Sequence, residues 1–174
     1  LARDGSTKWL VRGLVTSAAI RQSSARDEQT ERDPENVWLA RMPVRRLDVE
    51  AWRDAMLVAA GQLQDQLGGP PRDLLEERNN RRTLYGTVKR RELNDLLRLY
   101  DFPDPVAHSA ARDQTTTPLQ QLFVLNSPFF EQQAIAIAQR VTSDNSTQPA
   151  EQIRIAYLRL FGREPTSDQS NWGA

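Results

Sequence analysis

Two residue types are almost missing from this sequence, which holds no cysteine and a single histidine, His108. Without cysteine the chain can form no disulfide bond, no thiolate zinc site, no thiol nucleophile and no thioether-linked haem. With one histidine it cannot supply a metal motif built on two histidines. These absences exclude common redox and metal chemistries, so we expect no cofactor in this chain.

Lysine is also scarce, because only Lys8 and Lys89 stand among the 23 basic residues and the others are arginines. Arginine offers a planar pair of donors that fits carboxylates and carbonyl groups, which favours structural ion pairs. The 23 acidic residues cancel the basic ones, and a chain without net charge lacks the field that attracts nucleic acid. We therefore expect no nucleic-acid partner, although local charged patches remain.

Long apolar runs are absent as well, since no stretch approaches the roughly 20 apolar residues that a membrane-crossing helix requires. Of the 174 residues, 39% are hydrophobic and 26% are charged, which is slightly more polar than the average soluble domain. We expect one helical domain over residues 1–174 and no membrane span. Because the chain opens on Leu1 rather than methionine, we also expect it to be a fragment of a larger domain or protein.

The sequence contains many helix start signals, in which a polar capping residue precedes a proline or an apolar run. Thr116 or Thr117 before Pro118, and Ser127 before Pro128, are the clearest cases. The helices predicted in this way run from Ser6 to about Gln22, from Asp33 to before Pro43, Val49 to Ala60, Glu92 to Tyr100, Pro118 to Leu125, Pro128 to Val141, and Pro149 to just before Gly162. The sequence therefore predicts a mostly all-α fold, an irregular multi-helix bundle in which five or six of these helices pack at varied angles.

Long loops separate the predicted helices. Residues 23–32 are polar and show no hydrophobic periodicity, which predicts an exposed loop. The run Gly68-Gly69-Pro70-Pro71 allows neither a helix nor a β-ladder. Residues 83–88 have some strand character, weakened by Gly86. A small β-hairpin near 83–88 is therefore the one β element that we expect.

The densest charged cluster lies around the start of the helix at Val49. Glu50 and Asp54 stand one helical turn apart, and Arg46 and Arg53 can reach along the same row. One hypothesis is a pair of carboxylates for acid–base catalysis, whose two pKa values would have to differ. The other is a network of caps and ion pairs, which we favour because this spacing is common on ordinary helices.

Two further groups of polar residues are candidates for binding. Arg82 and Tyr85 lie in the basic stretch 81–91, which suggests polyanion binding, although interleaved acidic residues favour a solvated surface.

Arg112, Thr115, Gln120 and Asn126 could line a polar pocket for a sugar or a peptide. Such groups more often satisfy free N–H and C=O groups at helix ends. Asn145-Ser146-Thr147 matches a glycosylation acceptor, a pattern too common to assign a function.

Several motifs in order carry a family resemblance. They are Arg45-Arg46-Leu47-x-x-Glu50-x-x-Arg53-Asp54-Ala55, Gly68-Gly69-Pro70, Arg82-x-x-Tyr85, Arg112-x-x-Thr115-Thr116-x-Pro118-x-Gln120, then Leu122, Asn126 and Leu160-Phe161-Gly162-Arg163-Glu164-Pro165-Thr166. Their order and spacing resemble the C-terminal domain of unknown function in large exported planctomycete proteins that also carry cytochrome-c-like domains. The chain resembles the C-terminal portion of that domain. Ile20 departs from it, because relatives usually have an aromatic residue there.

The resemblance implies an extracytoplasmic location, in the periplasm or outside the cell, and places any haem in other domains of the full-length protein. It transfers no catalytic residue. Our first functional hypothesis is a non-catalytic scaffold or interaction module that binds neighbouring domains of the same polypeptide. The alternative is a carbohydrate-binding or polysaccharide-degrading module using Glu50 or Asp54, which needs two carboxylates facing each other across an open cleft. Polyanion binding through residues 81–91 is a weaker third hypothesis.

Overall fold

The computed structural model describes residues 5–25, 32–143 and 148–171. The helices in these ranges are α1 (Thr7–Val15), α2 (Val49–Ala60), α3 (Asp95–Leu99), α4 (Pro118–Asn126), α5 (Pro128–Ser143), α6 (Pro149–Phe161) and α7 (Ser167–Asn171). β structure in the described residues is limited to isolated bridges. The predicted mostly helical fold is confirmed. The glycosylation motif at Asn145 and residues 26–31 of the predicted loop lie outside the described residues.

The chain divides into two compact units, residues 1–46 and residues 47–174. The first unit contains α1 and a loop over residues 33–41. The second contains α2 to α7 and the hydrophobic core.

Helix ends that depend on local chemistry lie where the sequence predicts them. The helix α2 ends at Gly61, whose φ of 69° is in the left-handed region, where a side chain is disfavoured. Gly162 ends α6 in the same way, with φ at 65°. At the start of α4, Thr117 and Gln120 form a reciprocal capping box, which satisfies two backbone N–H groups that the first helical turn leaves free.

The helix predicted from Ser6 to about Gln22 is shorter than expected. Ser6 does cap it, but α1 ends at Val15. The hydroxyl of Thr16 donates to the carbonyl oxygen of Arg12 at 2.7 Å, and that of Ser17 donates to Leu14 at 2.7 Å. Hydroxyl side chains that bind nearby carbonyl groups compete with continuation of a helix.

The short helix predicted to run from Asp33 to before Pro43 is wrong, because residues 34–38 form consecutive turns. Asn36 and Leu39 both have positive φ, at 56° and 52°, which a right-handed helix does not allow. The carboxylate of Asp33 accepts the N–H groups of Val37 and Trp38 at 2.8 and 2.9 Å. These backbone donors are therefore engaged by a side chain instead of helix carbonyls.

The hairpin expected near 83–88 is also wrong, because Thr83–Tyr85 form a single 3-10 turn. The backbone on either side of Gly86 bonds to Arg72 instead of pairing with itself. The N–H of Arg72 donates to Tyr85 at 3.2 Å, and the N–H of Thr87 donates to Arg72 at 2.8 Å. A Cβ on Gly86 would collide with Leu74 Cδ2. The Leu74 side chain packs so closely on the backbone of Gly86 that only glycine fits there.

The core of the second unit lies where α2 meets α5, with α3 and the loop at Leu74 closing it. Its fully buried members are Val49, Leu57, Leu74, Leu96, Leu97, Phe129 and Phe130. Trp52 stacks on Tyr100 with ring centroids 4.9 Å apart and meets Phe130 at the same distance. A smaller cluster of Ala59, Ala60, Ala136, Ile137 and Val141 joins α2 and α5 to α6. This packing holds α2 rigidly, and α2 carries most of the candidate site.

Candidate functional site

The side chain of Arg53 lies entirely inside the second unit, at 0% exposure. Its Nη1 donates to the carbonyl oxygen of Arg81 at 3.0 Å and to the hydroxyl of Thr83 at 3.2 Å, and its Nη2 donates to the carbonyl of Asn79. The guanidinium also lies 4.6 Å from the centroid of the Phe129 ring. Burial lowers the pKa of Arg53 to about 10, while the charge of Asp54 acts in the opposite direction. Arg53 therefore anchors the loop 79–83 to α2.

Asp54, the next residue of α2, binds the same loop from the other side. Its Oδ1 accepts both the backbone N–H and the hydroxyl of Thr83, each at 2.7 Å, and its Oδ2 accepts Nε of Arg82 at 3.3 Å. A carboxylate at this position caps the 3-10 turn that begins at Thr83. Both oxygens are engaged within the chain, so Asp54 is occupied in holding the turn.

Arg81 and Tyr85 connect this turn to the glycine–proline loop. Arg81 is 5% exposed. Its guanidinium donates to the carbonyl groups of Pro70 and Gly68 and lies 4.4 Å from the centroid of the Tyr85 ring. The N–H of Gly68 donates to the Tyr85 hydroxyl at 3.1 Å. A stacked arginine that binds carbonyl groups thus fixes the loop.

Glu50 forms a two-pronged ion pair with Arg112, 62 residues away in the sequence, at 2.7 and 2.8 Å. Both side chains are about one-third exposed. The Arg112 hydrogen bond lowers the pKa of Glu50, and the same bond raises the pKa of Arg112. The pair joins the start of α2 to the segment that leads into α4.

Thr115 and Gln120 lie in and just after the segment that leads into α4, and both make hydrogen bonds within the chain. Asp101 accepts the backbone N–H and the hydroxyl of Thr115, each at 2.8 Å, an arrangement that repeats the contact of Asp54 with Thr83. Gln120 is buried and donates to the carbonyl of Leu99 at 2.7 Å. Its polar groups satisfy helix ends rather than line an open pocket.

Arg46 and Asn126 complete the set of predicted residues. Arg46 is half-buried and belongs to the first unit. Asn126 is exposed at the end of α4 and donates to the carbonyl of Leu122 at 2.7 Å. The structure therefore groups the other candidates into three contact sets of the second unit. Arg53, Asp54 and Arg82 meet around Thr83, with Tyr85 stacked on Arg81 beside them. Glu50 pairs with Arg112, and Gln120 binds Thr115.

These contacts bear on the catalytic hypothesis. Glu50 is held by an arginine and Asp54 by a turn, and an acid–base pair needs carboxylates that can reach a substrate. The polyanion hypothesis keeps three of its five basic residues. Arg81 is buried and Arg82 pairs with Asp54, whereas Lys89, Arg90 and Arg91 are exposed. The arrangement stabilises loops on α2 and leaves neither carboxylate open.

The loop 33–41 of the first unit is a feature that the sequence reasoning missed. Besides the Asp33 contacts, Asn36 exchanges hydrogen bonds with the backbone of Arg41 at 2.8 and 3.2 Å. The Arg41 guanidinium donates to the carbonyl groups of Asp33 and Pro34 at 3.0 and 2.8 Å. The motif Asp-Pro-Glu-Asn could have indicated this turn, because Asp and Asn side chains bind backbone groups two to five residues ahead.

Beside a smaller depression of about 280 Å³ with Asn126 in its wall, two larger ones lie on the described surface of the second unit. One has a volume of about 410 Å³ and is polar, with Asp73, Glu76, Thr87, Lys89, Glu92, Asn94 and Asp95 in its wall. The other has a volume of about 580 Å³ and is apolar, and it lies between α2, α5 and α6 beside Met56, Ile137, Val141, Ile153 and Ala156. Within the described ranges, no three acidic or histidine residues form a metal-binding group, and no helix is long and apolar enough to cross a bilayer.

Comparison with known proteins gives one assignment. No curated protein and no solved structure matches the chain. The family described as "PSD1: Protein of unknown function (DUF1553)" matches residues 1–173. The match covers both units, so the chain belongs to the PSD1 family of proteins of unknown function.

Proposed function

We propose that this chain is a non-catalytic interaction module that binds a neighbouring domain of the same exported polypeptide. The observation that carries the proposal is the loop 33–41, which holds Val37, Trp38 and Leu39 outward. Their exposed fractions are 69%, 76% and 63%. Tryptophan is the residue most typical of binding hot spots, and three adjacent exposed apolar side chains indicate a protein interface.

The rigidity of the loop supports this function. Asp33 and Asn36 are buried although both are polar, and their side chains bind the loop backbone. Leu39 has a positive φ, a conformation that costs about 1 kcal/mol or more in a residue with a Cβ. The internal hydrogen bonds fix the loop backbone that carries Trp38, which reduces the entropy lost on binding.

The location and the partner are proposed on the family resemblance. Exported proteins with cytochrome-c-like domains provide neighbouring domains to which such a loop can bind. The closed contacts of Glu50, Arg53 and Asp54 agree with a scaffold, since they fix loops on α2 instead of opening a cleft. The haem chemistry of the full-length protein would belong to the other domains.

The test is a binding measurement between this chain and the neighbouring domains expressed separately. We expect the Trp38→Ala variant to bind about thirtyfold more weakly, because truncation of a central tryptophan typically costs about 2 kcal/mol or more. Leu84→Ala is the matched control, because Leu84 is 62% exposed but lies in the second unit. It should bind like the parent chain.

A second variant tests the conformation of the loop backbone separately from the Trp38 side chain. Asp33→Ala removes the acceptor of the Val37 and Trp38 N–H groups while leaving the tryptophan in place, so it should also weaken binding. If the parent chain binds none of the neighbouring domains, or if Trp38→Ala binds as tightly as the parent chain, the proposed function is wrong.

Polysaccharide binding is the second candidate, and the polar depression of the second unit supports it. Lys89 and Glu92 lie in its wall, and charged groups of this kind bind sugar hydroxyls. A glycan array probed with the parent chain and with Lys89→Ala tests the idea. Binding that survives unchanged in the variant, or no binding at all, counts against this site.

A further inference from the structure

The helix α1 exposes a wide apolar face. Leu10, Val11, Leu14 and Val15 are each between 54% and 57% exposed, and Trp9 is 52% exposed. No residue of α1 is buried. Single exposed apolar residues are common on protein surfaces, but α1 exposes five large apolar side chains within two and a half turns. This concentration indicates a binding surface.

The charges on α1 itself have one sign. Lys8 and Arg12 stand four residues apart, and such residues share one side of a helix. Residues 5–26 hold four basic residues and no acidic one, and Asp4 and Asp27 flank this stretch. Residues 1–46 contain nine basic and six acidic residues, whereas residues 47–174 contain 14 and 17. The zero net charge of the whole chain therefore hides a local basic segment.

An apolar face bordered by cations and free of anions has the character of a helix that lies in a membrane interface. The phosphates of anionic lipids attract the basic side chains, while the acyl chains accept the apolar ones. Nine residues of helix extend about 14 Å, so α1 would lie in the plane of the membrane and not cross it.

From this combination we propose that α1 binds the surface of a membrane containing anionic lipid, with Leu10, Leu14 and Val15 inserted between headgroups. The occupant is the lipid surface, attracted by Lys8 and Arg12. Such binding is independent of the Trp38 loop and of any neighbouring domain, because it depends on the residues of α1 alone.

The experiment is co-sedimentation of the whole chain with vesicles of phosphatidylglycerol mixed into phosphatidylcholine, and with vesicles of phosphatidylcholine alone. The chain should bind the mixed vesicles about thirtyfold more strongly, since each basic residue near an anionic surface contributes about a factor of five. Added salt should reduce this preference because it screens the attraction. The double variant Lys8→Gln with Arg12→Gln should lose most of it.

Leu14→Glu tests the apolar contact and should lower binding to the mixed vesicles at least about tenfold. Leu122→Glu is its matched control, because Leu122 is 53% exposed on α4 of the second unit. It should bind the vesicles like the parent chain, and circular dichroism should show that both variants remain folded. Trp38→Ala should also bind like the parent chain, which separates this proposal from the proposed function.

Three results would overturn the inference. The first is the same weak binding to both kinds of vesicle. The second is parent-like binding by Leu14→Glu. The third is light scattering that shows an oligomer of the parent chain and a monomer of Leu14→Glu without vesicles, because a second copy would then cover the apolar face.

Discussion

Replacement of Arg53 by methionine should destabilise the second unit by about 4 kcal/mol. Arg53 makes three buried hydrogen bonds with its guanidinium, and a bond to a charged group contributes about 1.5 to 3 kcal/mol. The three together amount to roughly 5 to 9 kcal/mol. Burial of the charge opposes them, because lowering the pKa of Arg53 from its ordinary value to about 10 corresponds to about 3 kcal/mol against the charged form.

The net contribution of Arg53 is therefore roughly 2 to 6 kcal/mol, in the range expected when one partner of a buried charged contact is removed. Methionine fills most of the volume but leaves the carbonyl groups of Asn79 and Arg81 without their donor. Urea unfolding followed by circular dichroism should show a lower midpoint with an unchanged slope. Arg53→Lys keeps the charge but not the planar fork, so its stability should fall between those of the parent chain and Arg53→Met.

Arg98→Met is the matched control. Arg98 pairs with Asp95 on the surface of α3, with its side chain 69% exposed, and surface pairs contribute at most about 1 kcal/mol. Its loss should change stability by no more than about 0.5 kcal/mol. If Arg53→Met were destabilised as little as this control, the loop 79–83 would not depend on the buried arginine, and the role given to Arg53 would be wrong.

Two other predictions concern single contacts. Glu50→Gln should cost about 1 to 2 kcal/mol at neutral pH, because its ion pair with Arg112 is intermediate between exposed and buried pairs. Since Arg112 lowers the pKa of Glu50, this stabilisation is fully present above the pKa of the glutamate in the unfolded chain and is lost as pH falls through the lower folded value. The urea midpoints of the parent chain and the variant should therefore converge in acid, and a constant difference would contradict the assignment. Gly86→Ala should destabilise by about 1 to 3 kcal/mol through its collision with Leu74, whereas Gly13→Ala, with open space around it, should increase helicity. Thermal unfolding by circular dichroism checks both, and equal effects of the two substitutions would count against the packing argument.

The helix ends show what local chemistry can decide. Gly61, Gly162 and the Thr117–Gln120 capping box act on backbone groups within four residues, so their effect is visible in the sequence. The same reasoning failed at Asp33 because Asp-Pro-Glu-Asn is compatible with both a helix cap and a turn. Only the positive φ of Asn36 and the engagement of Arg41 distinguish the two.

Local sequence was enough to specify a mostly helical fold, the ends of its principal helices and the grouping of charged residues near the start of α2. What those charges do depends on the folded chain. Arg53 shares a buried stripe of α2 with Val49 and Leu57, and its acceptors come from a loop 26 to 30 residues away. Glu50 meets Arg112 across 62 residues. Helix caps depend on neighbours along the chain, whereas the partner of a buried charge depends on which distant segments the core brings together.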